Sequence, residues 1–173
     1  EPSDNVVSHV KQITGDQSNI GSACGTLAHL AQSLQSDTVR HEYVSLFIGV
    51  GRGELLPFAS YYLTGFLNEK PLADLRGEMK RLGIEKSPDV KEPEDHIASV
   101  CDIMSGLIKG KFEGGNSHHE QASFFKQFLA PWAGLFFSDL ERAKTAVFYA
   151  PVGTIGREFM IIESQAFDME ISG

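Results

Sequence analysis

The chain has 173 residues, 42% of them hydrophobic, and a net charge of −8. That length fits one domain with a sizeable core, and the apolar content excludes disorder as the default state. The acidity disfavours nucleic-acid binding through phosphate neutralisation and favours a basic partner, although mild acidity also serves solubility alone.

No apolar run approaches the roughly 18 residues of a membrane span, so no stable membrane insertion is expected. The start, Glu1-Pro2-Ser3-Asp4, has no basic region followed by an apolar one and no initiator Met. The expectation is a fragment or processed form without a secretory signal. Cys24 and Cys101 are far apart, and each falls on an apolar helical stripe. That pattern suits buried, reduced thiols better than a disulfide or a metal site.

Taken in order, Ser3 or Asp4 caps a first helix that carries Val6, Val7, Val10 and Ile13 and stops at Gly15. A second helix places Ile20, Ala23, Cys24, Leu27, Leu30, Ala31 and Leu34 on one stripe. Ser36 and Asp37 cap a third, which delivers Tyr43 and Phe47, one turn apart, to a glycine turn. Ser60 to Phe66 reads as a short helix. Pro71 starts the next, with Leu72, Leu75, Met79 and Leu82 inward and Gly83 at its end. Residues 84–92 are polar and proline-containing and read as a linker, a hinge between two lobes.

Glu92-Pro93-Glu94-Asp95-His96 reads as the start of a helix with Pro93 in its first turn, and Ile97, Val100, Cys101, Met104, Leu107 and Ile108 form its core stripe. On that wheel His96 borders the apolar stripe, and Asp95 points away with Ser99 and Asp102. Gly114-Gly115 reads as a break, and Ser117 to Glu120 as a capping box. Phe124, Phe125, Phe128 and Leu129 follow, and Pro131 ends that helix and starts another through Trp132, Leu135 and Phe136. Ser138 to Glu141 reads as a second capping box, and Pro151 as the opening of the last helix, with Val152, Ile155, Phe159 and Ile162 inward. No alternating strand pair is present. The predicted fold is an all-α, single-domain bundle of about eight to nine helices.

Three constellations carry candidate chemistry. Gly49-x-Gly51-x-Gly53 suggests a nucleotide loop, but a dinucleotide fingerprint needs G-x-G-x-x-G inside a βαβ unit and a P-loop needs Gly-Lys-Ser/Thr. The run also suits a loop that another backbone approaches closely, or a plain turn. Asp95-His96 is an acid–imidazole pair, but adjacent helical residues diverge. Capping, packing and recognition of a polar partner stand beside catalysis. His118-His119-Glu120 lacks the i, i+4 spacing of helical metal ligands, so no metal site is expected. Trp132 reads as a packing residue, with ligand stacking as the alternative.

Four patterns coincide: Tyr43-x-x-Leu46-Phe47-x-Gly49-x-Gly51, Pro57-x-x-Ser60-x-Tyr62-Leu63, Glu92-Pro93-Glu94-Asp95-His96-Ile97, and Phe125-x-x-Phe128-Leu129-x-Pro131-Trp132. Together they resemble the TorD/DmsD (NarJ-like) family of redox-enzyme maturation chaperones, across roughly Pro2 to Phe167. The resemblance implies a cytoplasmic, all-helical chaperone without catalytic turnover. Its partners would be the twin-arginine signal peptide and the apo form of a molybdoenzyme catalytic subunit, held back from export until molybdenum cofactor is inserted. Carried over residue by residue, the peptide-binding set is Tyr43, Leu46, Phe47, Gly51, Pro57, Ser60, Tyr62, Asp95 and His96. Asp95 is expected to pair with guanidinium groups, and the rings of Tyr43, Phe47, Phe58 and Tyr62 to take apolar side chains and stacked Arg. No resident cofactor is implied. Weak GTP binding is the family-level alternative, through the Gly49–Gly53 turn. The chain lacks the helix with which the family usually begins, and the surface this uncovers makes a homodimer or helix exchange an expectation.

Overall fold

The computed structural model describes residues 2–112 and 117–171, so the Gly114-Gly115 break lies outside the described residues. Nine α-helices follow one another in the described residues: α1 (Asp4–Val10), α2 (Asn19–Ser33), α3 (Ser36–Tyr43), α4 (Ala59–Thr64), α5 (Lys70–Arg81), α6 (Ile97–Ile108), α7 (His118–Phe124), α8 (Ala133–Arg142) and α9 (Tyr149–Ile171). Two π-helical turns extend α3 and α7, over Val44–Ile48 and Phe125–Leu129. The all-α expectation holds. The chain forms two compact units, Glu1–Leu56 with Gly134–Glu163, and Pro57–Ala133 with Ser164–Gly173. The segment 84–92, expected as a hinge, lies inside the second unit rather than at a division between the two.

In the first unit, the Ser3 hydroxyl accepts from Val6 N at 3.3 Å and caps α1, and that of Ser18 accepts from Gly21 N at 3.1 Å and caps α2. Each satisfies one of the orphan donors of a first helical turn. α1 stops at Val10, short of the predicted Gly15. Gln35, not Ser36 or Asp37, takes the cap position of α3, and no side chain bonds there. The core gathers Val7, Leu27, Ala31, Val39 and Phe148, with Val152 and Ile155 packed against it.

Three expectations about the C-terminal helices fail for identifiable reasons. Ser138 sits inside α8, where its hydroxyl donates to Gly134 O at 2.9 Å, so it forms no capping box. Such back-bonding lets a serine sit within a helix. Phe159 and Ile162, predicted inward, are exposed, whereas Met160 is buried. The cause is the crossing of α8 and α9. Gly153 lies against the backbone of Phe137 and Glu141, and Gly156 against the Phe137 ring. That close approach, possible only without a Cβ, turns the Gly153–Gly156–Met160 face inward and leaves the Phe159–Ile162 face out.

In the second unit, Pro71 falls in the first turn of α5, where its missing N–H costs nothing. The Ser117 hydroxyl accepts from Glu120 N at 3.2 Å, as a capping box requires. α6 packs against α7 and the second π-helical turn, and the interior is filled by residues such as Leu75, Val100, Leu107, Phe124 and Phe125. Phe167 at the end of α9 packs on Phe125, with ring centroids 5.1 Å apart. Cys24 and Cys101 are free thiols. Burial, then the nearby Asp102 carboxylate, pushes the Cys101 thiol up to about 11, which keeps it protonated and unreactive. Among the described residues no helix is long and apolar enough to cross a membrane.

Candidate functional site

The first unit carries Tyr43, Leu46, Phe47 and Gly51 of the predicted set. Tyr43 and Phe47 do point the same way, with ring centroids 5.2 Å apart. A third ring joins them: Tyr149 stands 5.5 Å from Phe47, edge-on, and 6.2 Å from Tyr43. All three rings are half-buried. Burial, followed by the neighbouring Tyr43 and Glu42, raises the pKa of the Tyr149 hydroxyl.

Glu42 places Tyr149 there. Its carboxylate accepts from Val147 N (2.8 Å), Phe148 N (3.0 Å) and Tyr149 N (2.8 Å). It thus caps the start of α9 from α3, at the end where a helix favours negative charge. Glu54 holds the same connection, accepting from Lys144 N (2.6 Å), Thr145 N (3.2 Å) and the Thr145 hydroxyl (2.7 Å). The Thr145 hydroxyl, then the Lys144 N–H, keep the Glu54 carboxyl below the usual carboxylate range. Stability from this clamp is therefore complete above the unfolded carboxyl pKa of about 4.3 and is lost as pH falls through the lower folded value. Glu54→Gln is expected to flatten the pH dependence of urea stability below about pH 5; an unchanged slope would remove Glu54 from this role.

The glycine turn lies between these two acids. Leu55 N donates to Leu46 O at 2.8 Å and Glu54 N to Ser45 O at 3.2 Å, so the chain folds back onto its own π-helical turn. Gly53 sits directly on the Leu46–Phe47 backbone, where a Cβ would come 2.5 Å from Phe47 C and 2.6 Å from Leu46 O. Gly49 has φ +60° and ψ −179°, a conformation open essentially to glycine alone. The backbone that approaches these glycines is their own, and Leu46 is fully buried beneath them.

The second unit carries Pro57, Ser60, Tyr62, Asp95 and His96. Here the sequence placed the helix start four residues early. α6 begins at Ile97, and residues 93–96 form a turn closed by His96 N donating to Pro93 O at 3.1 Å. Residues 57–59 then pair antiparallel with 95–97: Ala59 N donates to Asp95 O (3.0 Å), Ile97 N to Pro57 O (2.9 Å), and Phe58 bridges His96. The Phe58 and His96 rings meet edge-on at 5.2 Å. Glu94 is bound to Arg76 of α5 at 2.8 Å.

Asp95 does not face outward with Ser99 and Asp102 as predicted. It is 1% exposed, and its Oδ2 accepts from Ser60 N at 2.9 Å, capping α4 across 35 residues of sequence. The other oxygen, Oδ1, and the buried Ser60 hydroxyl have no hydrogen-bond partner. An unsatisfied buried carboxylate oxygen is costly. Asp95→Ala is expected to lose about 1–3 kcal/mol by leaving Ser60 N unpaired, and Asp95→Asn less than about 1 kcal/mol because an acceptor oxygen remains. Urea unfolding of the pair checks this, and equal losses would contradict it. His96 is the cap residue of α6, its Nδ1 accepting from Ala98 N at 3.2 Å. Burial depresses its pKa, while Glu92 and Asp95 partly oppose the shift. The ring is thus neutral at pH 7, as its accepting Nδ1 requires. Tyr62 stacks at 5.8 Å on Trp132, which is fully buried and donates to Phe128 O at 2.7 Å.

Four of the nine predicted residues, Leu46, Pro57, Ser60 and Asp95, are therefore interior and shape backbone, while the half-buried Tyr43, Phe47, Tyr62 and His96 offer surface. Glu42, Glu54 and Tyr149 were missed. Glu42 carried one signal, an acid on the same helical stripe as the buried Val39 and Leu46. Among the described residues no cluster of His, Cys, Asp or Glu is placed to hold a metal.

A model of the nitrate reductase delta subunit family matches residues 14–138. The chain belongs to this family. Chaperone protein TorD of Vibrio atlanticus is 31% identical over 132 residues, which cover 72% of this chain and 61% of that protein. Chaperone protein TorD of Aliivibrio fischeri is 30% identical over 125 residues, 66% of this chain and 57% of that protein. The chain thus spans about three fifths of these relatives' length. The resemblance to TorD-like proteins read from the glycine turn and the Glu92–Ile97 element is borne out, and both elements lie inside the matched residues.

Proposed function

We propose that this protein is a cytoplasmic chaperone that binds the twin-arginine signal peptide of an apo-molybdoenzyme catalytic subunit and delays its export until molybdenum cofactor is inserted. It turns over no substrate and carries no cofactor of its own. One observation carries the reading: in a family whose relatives are named TorD chaperones, the Pro57–Ser60 and Asp95–Ile97 elements are zipped together by backbone pairing around a carboxylate with one unused oxygen. That pairing holds the half-buried Tyr62 and His96 at the surface, where their rings suit a guanidinium or an apolar side chain. In the first unit Tyr43 and Phe47 supply contact surface on a backbone shaped by Leu46 and Gly51; in the second, Tyr62 and His96 do so on a backbone shaped by Pro57 and Ser60. The nucleotide alternative gains nothing from the turn, because Gly49 and Gly53 are closed by their own chain.

The test is titration of a fluorescent synthetic twin-arginine peptide, with micromolar or tighter binding expected. Asp95→Asn keeps the acceptor for Ser60 N at a buried position, so it is expected to leave both affinity and stability nearly unchanged, whereas His96→Ala is expected to cost about tenfold in affinity, or roughly 1.4 kcal/mol. Tyr62→Ala and Phe47→Ala are expected to weaken binding similarly. A wild-type protein that binds no such peptide would end the proposal.

A further inference from the structure

The second unit contains a cavity of about 100 Å³ that no predicted site residue lines. α4 contributes Ala59 and Leu63, one turn apart; Leu75, Val100, Phe128 and Trp132 complete the apolar wall, and Asp74 and Gln127 supply its polar edge. We propose that this cavity is an anchor pocket that takes one apolar side chain of the bound peptide, with Asp74 pairing with a basic residue beside that anchor. The inference rests on the peptide-binding reading above and names where the apolar part of the ligand goes.

Four observations support it. The first is size: a water needs about 10–15 Å³ of such space, so the cavity holds several heavy atoms, the scale of one branched side chain. The second is rigidity. Trp132 is fixed by its bond to Phe128 O and stacked on Tyr62, so the pocket exists before a ligand arrives and adjoins a residue already assigned to the peptide. Preformed pockets of this kind host the dominant contacts of interfaces. The third is the rim. Leu63 lines the cavity and is 44% exposed; apolar groups around an anchor exclude water from it.

The fourth is charge. Asp74 is 45% exposed, and its partner is Lys70 of the same helix, at 2.9 Å and itself exposed. An exposed i, i+4 pair contributes little, so a guanidinium making two parallel bonds can displace it. A second copy of this chain, at net charge −8, is the poorer occupant.

The experiment titrates a labelled peptide of two arginines followed by leucines onto wild type, Ala59→Leu, which fills the cavity, and Asp74→Asn. Ala59→Leu is expected to lose about tenfold or more in affinity, and Asp74→Asn about three- to tenfold together with much of the salt dependence. A peptide with its leucines cut to alanine should bind wild type and Ala59→Leu alike. Leu63→Gln, at an exposed position, serves if Ala59→Leu does not fold. Wild-type affinity in the cavity variants, with the peptide still bound and still sensitive to His96→Ala, would overturn the anchor while leaving the peptide-binding reading intact. No binding by wild type would remove both. Dissociation of a dimer by Leu63→Gln at unchanged peptide affinity would assign the cavity to a second copy and overturn the proposal.

Discussion

Glu42→Ala is expected to destabilise the protein by about 3 kcal/mol, through backbone donors left without their acceptor. The Glu42 carboxylate is buried and receives three N–H groups, those of Val147, Phe148 and Tyr149. Val147 is exposed and its N–H can turn to water, but Phe148 is buried, so its N–H would be left unpaired. Glu42→Gln separates charge from geometry. Oε1 serves Val147 and Tyr149, while Oε2 serves Phe148. An amide in the favourable orientation keeps the first two bonds and sets a donor against Phe148 N, for a loss of about half that of alanine. Equilibrium unfolding in urea gives both values, and near-ultraviolet dichroism reports whether Tyr149 leaves the Tyr43–Phe47 cluster. A loss below about 0.5 kcal/mol for alanine would mean that the α9 start is held by something other than this carboxylate.

What the sequence disclosed and what it hid divide along the range of the interactions involved. α2 and α5 were legible because their apolar spacing and, for α5, the proline at position 71 act within a turn or two. The start of α6 was misread because Pro93 fits a first helical turn locally, and only pairing with residues 57–59 holds 93–96 out of the helix. Asp95 was assigned to the right segment with the wrong orientation for the same reason, since its partner, Ser60 N, is 35 residues away. α9 carries apolar residues on two faces, and the crossing with α8 at Gly153 and Gly156 decides which is buried. Those glycines lie in α9 itself, but apolar spacing alone does not register them.

Three carboxylates follow one design. Glu42, Glu54 and Asp95 each spend a carboxylate on backbone N–H groups distant in sequence. Each ties a candidate binding element to the helix or loop behind it. A charged acceptor holding neutral donors is stronger than a neutral pair, so three side chains fix segments that have little regular structure of their own. In this chain the acids are therefore partly scaffold, and the acidity that suits a basic ligand rests on those that remain at the surface, Asp74 among them.

The glycine turn supplies the second large effect, as a graded series. Gly49→Ala is expected to cost about 3 kcal/mol, combining a backbone conformation that costs a side chain about 1–3 kcal/mol with a collision against the Arg52 carbonyl. Gly53→Ala faces the steric part alone, because its Cβ would press on Phe47 C and Leu46 O at 2.5 and 2.6 Å. About 2 kcal/mol is expected there, together with weakening of the Leu55 N to Leu46 O bond. Gly51 has φ +84° but open space around its Cβ position, so alanine there should cost only about 1 kcal/mol. Urea unfolding of the three variants distinguishes this order from the alternatives. If the turn were a phosphate cradle open to a ligand, the space above each glycine would be reserved for that ligand, and no variant would meet its own backbone. Three equal and small losses would therefore contradict the self-packed turn, whereas the order Gly49, Gly53, Gly51 would follow from the Leu46–Phe47 backbone and the Arg52 carbonyl filling that space.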